Sequence, residues 1–159
     1  MILVTVGTNE APFDRLLRAF DVRSRSDGDE ALLVQHGPSS VRPAGAECVD
    51  YLPYDELAAA IGRARIVVMH AGVGSIMTAL AHGKRPVVVP RLQRYGEAVD
   101  DHQVLLGRRL DAERLVTCAE SDEEILRALG SAELEATLAL GASSALVADL
   151  RAFVDAARR

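Results

Sequence analysis

The sequence predicts an α/β fold, a doubly wound parallel sheet, from three observations. Short apolar runs rich in β-branched residues recur at Ile2–Val6, Ala31–Gln35, Ile66–Met69 and Val87–Val89, with the length and content of buried strands. Turns at their ends lead into segments with apolar residues at helical spacing. The clearest unit runs from Ile66 to Pro90: a strand, a turn containing Gly72 and Gly74, a helix through Ser75, Ile76, Met77, Ala79 and Leu80, a stop at Gly83, and a second strand after Pro86. Parallel neighbours require such a crossover, and its helix covers the sheet.

In order along the chain, Ile2–Val6 reads as a central strand, Gly7-Thr8-Asn9 as its turn, and Pro12 as the first turn of a helix. Phe13, Leu16, Leu17 and Phe20 give that helix one buried face. Arg23–Glu30 reads as a polar loop, Ala31–Gln35 as the second strand, and His36–Ser40 as a loop at its carboxyl end. Glu47–Leu52 is a short third strand stopped by Pro53, and Leu57, Ala58 and Ile61 mark a helix ending at Gly62. After the central unit comes a loop, Arg91–Glu97. A helix from about Val99 to Leu110 then carries Val99, Leu105, Leu106 and Leu110, with Asp100, Asp101, His102 and Gln103 in its first turns. Leu115–Thr117 is a last strand, and Ser121 to Glu124 has the spacing of a capping box. Leu146, Val147, Leu150, Phe153 and Val154 describe a C-terminal helix.

A chain of 159 residues, 49% of them apolar, reads as one domain (1–159) with a real core and without disorder. Its net charge of −5 argues against a nucleic-acid partner. Cys48 and Cys118 are far apart, lack metal spacing, and with no leader at Met1–Val4 read as reduced cytosolic thiols. The apolar runs are too short to span a bilayer, so membrane association would come from a partner or a surface patch.

In such a sheet ligands bind at the carboxyl ends of the strands. The residues there are Gly7-Thr8, His36-Gly37, Leu52-Pro53, His70 to Ser75, and Pro90 onward. The glycine turn opens a helix, whose unpaired N–H groups and positive dipole end suit a phosphate. Two common nucleotide motifs fail. The G-x-G-x-x-G pattern meets Met77 where glycine or alanine belongs, and Gly83-Lys84 is followed by Arg85 at the wrong end of its helix for a P-loop. Neither NAD nor ATPase chemistry is favoured.

Several segments together resemble a known family. His70-Ala71-Gly72-Val73-Gly74-Ser75, the helix ending in Gly83-Lys84-Arg85-Pro86, Val89-Pro90-Arg91, the run Gly96-Glu97-Ala98-Val99-Asp100-Asp101-His102-Gln103, and the opening Val4–Thr8 with Phe13 are similar to the donor-binding half of family 28 glycosyltransferases. The resemblance is to the small subunits of two-part enzymes, the bacterial exopolysaccharide PssE type and its eukaryotic counterpart in dolichol-linked N-acetylglucosamine transfer, and more distantly to MurG. It implies the Rossmann-like C-terminal half of a GT-B fold that binds a UDP-sugar without a metal or other cofactor. By position it places Gly72, Gly74 and Ser75 on the diphosphate, with Gly7 and Thr8 closing from the first strand. It places Leu52 near the uracil, and Asp101, His102 and Gln103 on sugar hydroxyls. Thr78 stands where MurG-like relatives carry a glutamate that holds the ribose; a threonine accepts one hydrogen bond where a carboxylate accepts a pair.

The resemblance further implies a membrane-anchored acceptor-domain subunit, which would supply the catalytic base and hold this chain at the cytoplasmic face of the membrane. The C-terminal helix or the Arg91–Glu97 loop would be the docking surface, and without the partner an exposed apolar face would favour homo-oligomers. The acceptor would be a lipid-linked (polyprenyl diphosphate) hydroxyl attacking the anomeric carbon.

The residues alone leave plainer readings open. Gly72 and Gly74 would serve a tight strand–helix connection equally well. His70 reads as a hydrogen-bonded core histidine or as a ligand contact and weak catalytic candidate. Gly7-Thr8 reads as turn plus cap, Asp100 as a residue chosen for a helix N-terminus, and Asp101 with His102 as a metal pair lacking a third ligand. Lys84 and Arg85 read as a solvated helix end, and Arg91 and Arg94 as solvated or as contacts to phosphate or a partner. The alternative to an enzyme subunit is a non-catalytic nucleotide-sugar binding or regulatory module. An epimerase of related fold would need a second domain. Which sugar is moved, and to what, is not written in the sequence.

Overall fold

Six parallel strands run in the order β3-β2-β1-β4-β5-β6 in a computed structural model that describes residues 1–24 and 30–130. The strands are β1 (Ile2–Thr5), β2 (Leu32–Gln35), β3 (Glu47–Val49), β4 (Ile66–His70), β5 (Val87–Val89) and β6 (Thr117–Cys118). Among the described residues the helices are α1 (Asp14–Ser24), α2 (Tyr54–Arg63), α3 (Val73–Ala81), α4 (His102–Ala112) and α5 (Asp122–Gly130), with a 3₁₀ turn at Gln93–Tyr95. The doubly wound sheet is therefore as the sequence predicts. The C-terminal helix expected around Leu146–Val154 lies outside the described residues.

Alternation along the strands explains why their sequences are continuously apolar. Ile2, Val4, Ile66, Val68, Val87 and Val89 pack with Phe13, Leu16, Leu17 and Phe20 of α1 and Ile125 of α5. Leu3, Val67, Met69 and Val88 point the other way, onto Ile61 of α2, Ile76 and Leu80 of α3 and Leu110 of α4. Successive side chains face opposite layers, and both layers are helices, so β1, β5 and all of β4 up to Met69 are buried, with only His70 at the end of β4 partly open.

The ends of the elements follow local chemistry. Gly83 takes φ +70° after α3, its N–H bonding Leu80 O and the Lys84 N–H bonding Ala79 O, the paired closure of a Schellman stop. The Ser121–Glu124 box forms reciprocally: Glu124 N–H donates to Ser121 Oγ (3.2 Å) and Ser121 N–H to Glu124 Oε2 (3.1 Å). Helix α1 continues past Arg23, where the sequence predicts a loop, and β3 stops at Val49 short of the expected Leu52.

The helix expected from Val99 begins at His102 instead. The Asp100 carboxylate accepts the His102 N–H (3.0 Å) and Asp101 Oδ1 accepts the Gln93 N–H (2.9 Å), so both acids fold the approach rather than ride the first turn. Gln103, Val104, Gly107 and Leu110 face in, with Leu106 packed against the same cluster, while Val99 is 86% and Leu105 72% exposed. Gly107 sets this phase. A Cβ there would stand 2.8 Å from Cys118 Sγ, so only glycine lets α4 approach β6 so closely. Among the described residues no helix is long and apolar enough to cross a membrane.

Candidate functional site

The chain winds from β1 outward through β2 to β3, then returns to β4 and winds the opposite way to β5 and β6. The reversal lies between β1 and β4, and the crevice beyond their carboxyl ends is where open α/β sheets take ligands. The loops that meet there are Gly7–Pro12 after β1 and Ala71-Gly72 after β4.

A buried polar chain shapes the first loop. Thr5 Oγ1 donates to Gln35 Oε1 (3.0 Å) and accepts the Gly7 N–H (3.2 Å), while Gln35 Nε2 reaches Gly7 O (3.4 Å). Gly7 itself has φ +78°, in the left-handed region that favours glycine. Its missing side chain also leaves room for His70. A Cβ on Gly7 would lie 2.6 Å from His70 Nε2, and one on Gly72 would lie 2.8 Å from His70 Cδ2 and closer still to Nε2. The imidazole is thus wedged between two glycines from neighbouring strands. Burial, then the Arg91 charge, hold its pKa down at about 4, against a smaller opposing effect from the Thr5 backbone, so the ring is neutral at pH 7. Its Nδ1 is buried and makes no well-formed hydrogen bond among the described residues, and the Thr5 backbone is the one hydrogen-bonding group that acts on the ring's pKa.

The two glycines of the turn have different reasons. Gly72 is required by His70, but a Cβ on Gly74 would meet nothing within 4 Å. Gly74 is exposed, in the first turn of α3, which has no side-chain cap at Gly72 and no acidic residue. The first intrahelical bond there is Ile76 N–H to Gly72 O (3.0 Å), which leaves the N–H groups of Val73, Gly74 and Ser75 without intrahelical acceptors. These donors, the dipole and a neutral imidazole make an anion-ready corner. Thr8 is exposed and Ser75 half-buried at its rim.

The loop after β5 is pinned from within. Arg91, read from sequence as solvated or touching phosphate, is fully buried (0% exposed). Its Nη2 donates to Val6 O (3.0 Å) and its Nη1 to Ala11 O (2.9 Å), Pro12 O (3.3 Å) and Glu97 O (3.2 Å). The guanidinium lies 4.6 Å from the Phe13 ring centroid. Glu97 receives a bidentate pair from Arg15, 3.0 Å at each oxygen, and its Oε2 accepts the Leu92 N–H (3.0 Å). Sequence reading gave Arg15 and Gln35 no role and named Glu97 only within a motif and a docking loop, and the one available signal was a charged Arg91 directly after the apolar Val89-Pro90.

The other candidates are placed unevenly. Gln103 is buried, with Oε1 accepting the Arg91 N–H (3.1 Å), so only its amide nitrogen is left to donate to a ligand. His102 and Gln103 line a cavity of about 210 Å³ together with Asn9, Ala11, Gly96 and Val99, between the loops after β1 and β5. His102 Nδ1 contacts the Asp100 carboxylate, and Asp101 is committed to Gln93. Thr78 lies one turn into α3, 5% exposed, its hydroxyl donating back to Gly74 O (2.9 Å). The structure does not bring it to the crevice rim. Leu52 is half-buried in the loop between β3 and α2. A larger cavity, about 480 Å³, lies between α1 and the 3₁₀ turn, lined by Arg15, Arg18 and Tyr95. It is away from the glycine turn, and the strand topology makes the crevice the better-founded site.

Comparison with known proteins places these features in context. Residues 1–153 match the glycosyltransferase family 28 C-terminal domain. The UDP-N-acetylglucosamine transferase subunit ALG13 of Yarrowia lipolytica is 38% identical over 69 residues, covering 43% of this chain and 33% of that protein. The human protein of the same name is 30% identical over 163 aligned positions, covering 91% of this chain and 14% of its own length. The chain thus spans a third or less of these relatives. Among solved structures, the glycotransferase of kitacinnamycin superposes with a TM-score of 0.64 at 19% identity, over 97% of this chain and 38% of that one. The calicheamicin glycosyltransferase CalG4 gives 0.63 at 15%, over 99% and 39%. These likenesses show the fold, the GT-B half that the sequence implies.

Proposed function

This chain belongs to the glycosyltransferase family 28 C-terminal domain family, and on that premise we propose that it is the donor-binding subunit of a UDP-sugar-dependent glycosyltransferase. The observation that carries the reading is the uncapped, acid-free first turn of α3, with open space at Gly74, at the β1/β4 switch point. In this reading the diphosphate accepts hydrogen bonds from the N–H groups of Val73, Gly74 and Ser75. Gly7 and Thr8 close from β1, Leu52 lies toward the base, and the sugar extends toward the cavity lined by His102 and Gln103.

The reaction is attack by an acceptor hydroxyl on the anomeric carbon, with UDP leaving. Negative charge grows on the diphosphate as the bond breaks, and fixed N–H donors and the helix dipole stabilise it without reorganising. Neutral His70 adds no competing charge, and its wedged ring holds Gly7 and Gly72 apart. The acceptor is lipid-linked and is presented by a membrane-associated partner subunit that supplies the base. The word "subunit" in the relatives' names supports this reading. A binding or regulatory module without turnover is the second reading, favoured by Thr78, whose hydroxyl is turned back onto its own helix.

The test is calorimetric titration with uridine, UMP, UDP and UDP-sugars, followed by a sugar-transfer assay with partner-containing membranes. Tighter binding of UDP than of UMP, and transfer only when chain and membranes are combined, are the expected results. Equal affinity for uridine and UDP would refute the diphosphate site. UDP-sugar binding without transfer in the presence of the partner would select the module.

A further inference from the structure

We infer that Arg91 is a positioning residue, whose buried side chain registers the loop after β1 against the loop after β5 and so sets the spacing between the two ends of the donor site. The inference rests on the donor reading above.

One residue ties together three separate pieces of chain. The guanidinium donates to Val6 O, the carbonyl immediately before Gly7, and to Ala11 O, just ahead of α1. It also donates to Glu97 O in the loop leading to α4. The Arg91 main-chain N–H is held by Gln103 Oε1. The turn that would close on the diphosphate and the glutamine that would reach the sugar are therefore both fixed by Arg91, one through its side chain and one through its backbone.

Packing alone does not call for arginine at this position. Burying a guanidinium is costly, and well-packed apolar residues often replace buried charges with gain in stability. What an apolar residue lacks is the rigid planar fork, whose donors must meet carbonyls in set directions. Here the acceptors are main-chain atoms 85 and 80 residues away in sequence. A shift of either loop breaks those bonds, so the fork specifies the register of the loops. The supporting partners act in the same sense: Glu97 holds the loop end through Leu92 N–H and through Arg15 on α1.

The experiment compares the wild-type chain with Arg91→Lys and Arg91→Met. Each is assayed for its thermal midpoint, for Kd values of UDP and UDP-sugars measured well below that midpoint, and for hydrogen–deuterium exchange of peptides covering residues 6–14. A positioning role predicts that the folded variants lose about tenfold or more in UDP-sugar affinity, as misplacement by an ångström can cost still more. It also predicts that the ratio of UDP-sugar to UDP affinity moves toward one and that exchange in 6–14 rises. Arg91→Lys, a compact charge without the fork, should fall with Arg91→Met rather than rescue it. A lowered midpoint with unchanged Kd values, unchanged ratio and unchanged exchange would make Arg91 merely structural and overturn the inference. So would failure of both variants to fold. If the wild-type chain itself binds no UDP, the donor reading fails, while the exchange of residues 6–14 still decides whether Arg91 holds the two loops in register.

Discussion

Replacing Gly74 by aspartate should make the fold more stable and the donor site weaker, and this opposition gives the substitution its force. A Cβ at position 74 meets nothing within 4 Å, and the residue lies in the first turn of α3 without a positive φ. Removing a helical glycine stabilises by up to about 0.5–1 kcal/mol, somewhat less in a first turn. An acid near a helix N-terminus adds about 0.3–1 kcal/mol. The sum, about 1 kcal/mol, raises the thermal midpoint by roughly 2–4 °C for a chain of this size.

Binding moves the other way. A carboxylate about 4 Å from a single phosphate charge costs between about 1 kcal/mol in water and about 4 kcal/mol at a protein surface of effective dielectric 20. That corresponds to a loss of about fivefold to a thousandfold in UDP affinity, larger at low salt. Gly74→Ala separates the terms, since it keeps the gain from removing the glycine, lacks that of the acid, and adds only the methyl group. Calorimetry with UDP and a thermal melt of the same preparations read both quantities. UDP affinity unchanged in Gly74→Asp would refute a diphosphate at this turn, and a midpoint lowered by several degrees would refute the open space beside Gly74.

Further outcomes follow from the same geometry. Gly72→Ala drives a methyl group into the His70 ring and should cost about 1–3 kcal/mol in urea unfolding; adding His70→Ala should return part of it, a coupling that a double-mutant cycle reads. His70 is held at about 4 in the folded chain, below its unfolded value of roughly 6.5, so the unfolded state takes the proton first. Stability from this group is complete above about pH 6.5 and is lost as pH falls toward 4, a change of about 3 kcal/mol that His70→Asn should remove from the pH profile. Gly107→Ala, with its Cβ 2.8 Å from Cys118 Sγ, should destabilise by about 1–3 kcal/mol and be partly relieved by Cys118→Ala. Burial, then Glu120 and Asp111, push the Cys118 thiol up to about 12, so iodoacetamide at pH 8 should label it only on unfolding.

The strands, the glycine turn and the capping box were legible because their signals are local: β-branched runs, Gly83 as a helix stop, and Ser121 three residues before Glu124. The switch point followed from those elements in order. What the sequence hid depends on partners distant in the chain. Arg91 looks like any surface cation until Val6 and Ala11 are brought to it. Helix α4 turns Leu110 and Leu106 inward but brings Gly107 against Cys118, and Leu105, like Val99 before the helix, is left in water. Gly72 and Gly74 are indistinguishable as letters, yet one makes room for an imidazole and the other for nothing in the protein. Thr78 occupies the expected position in α3, but its hydroxyl satisfies its own helix. Charge, glycine and hydroxyl residues carry little local information about their partners, whereas apolar periodicity carries most of what places a strand.

The most direct measurement is a backbone amide NMR titration of the chain with UDP, using uridine as the control. A diphosphate at the glycine turn predicts that UDP, and not uridine, shifts the amides of Val73, Gly74 and Ser75, together with Gly7 and Thr8 across the crevice. Shifts gathered instead around Arg15, Arg18 and Tyr95, with the first turn of α3 silent, would contradict it.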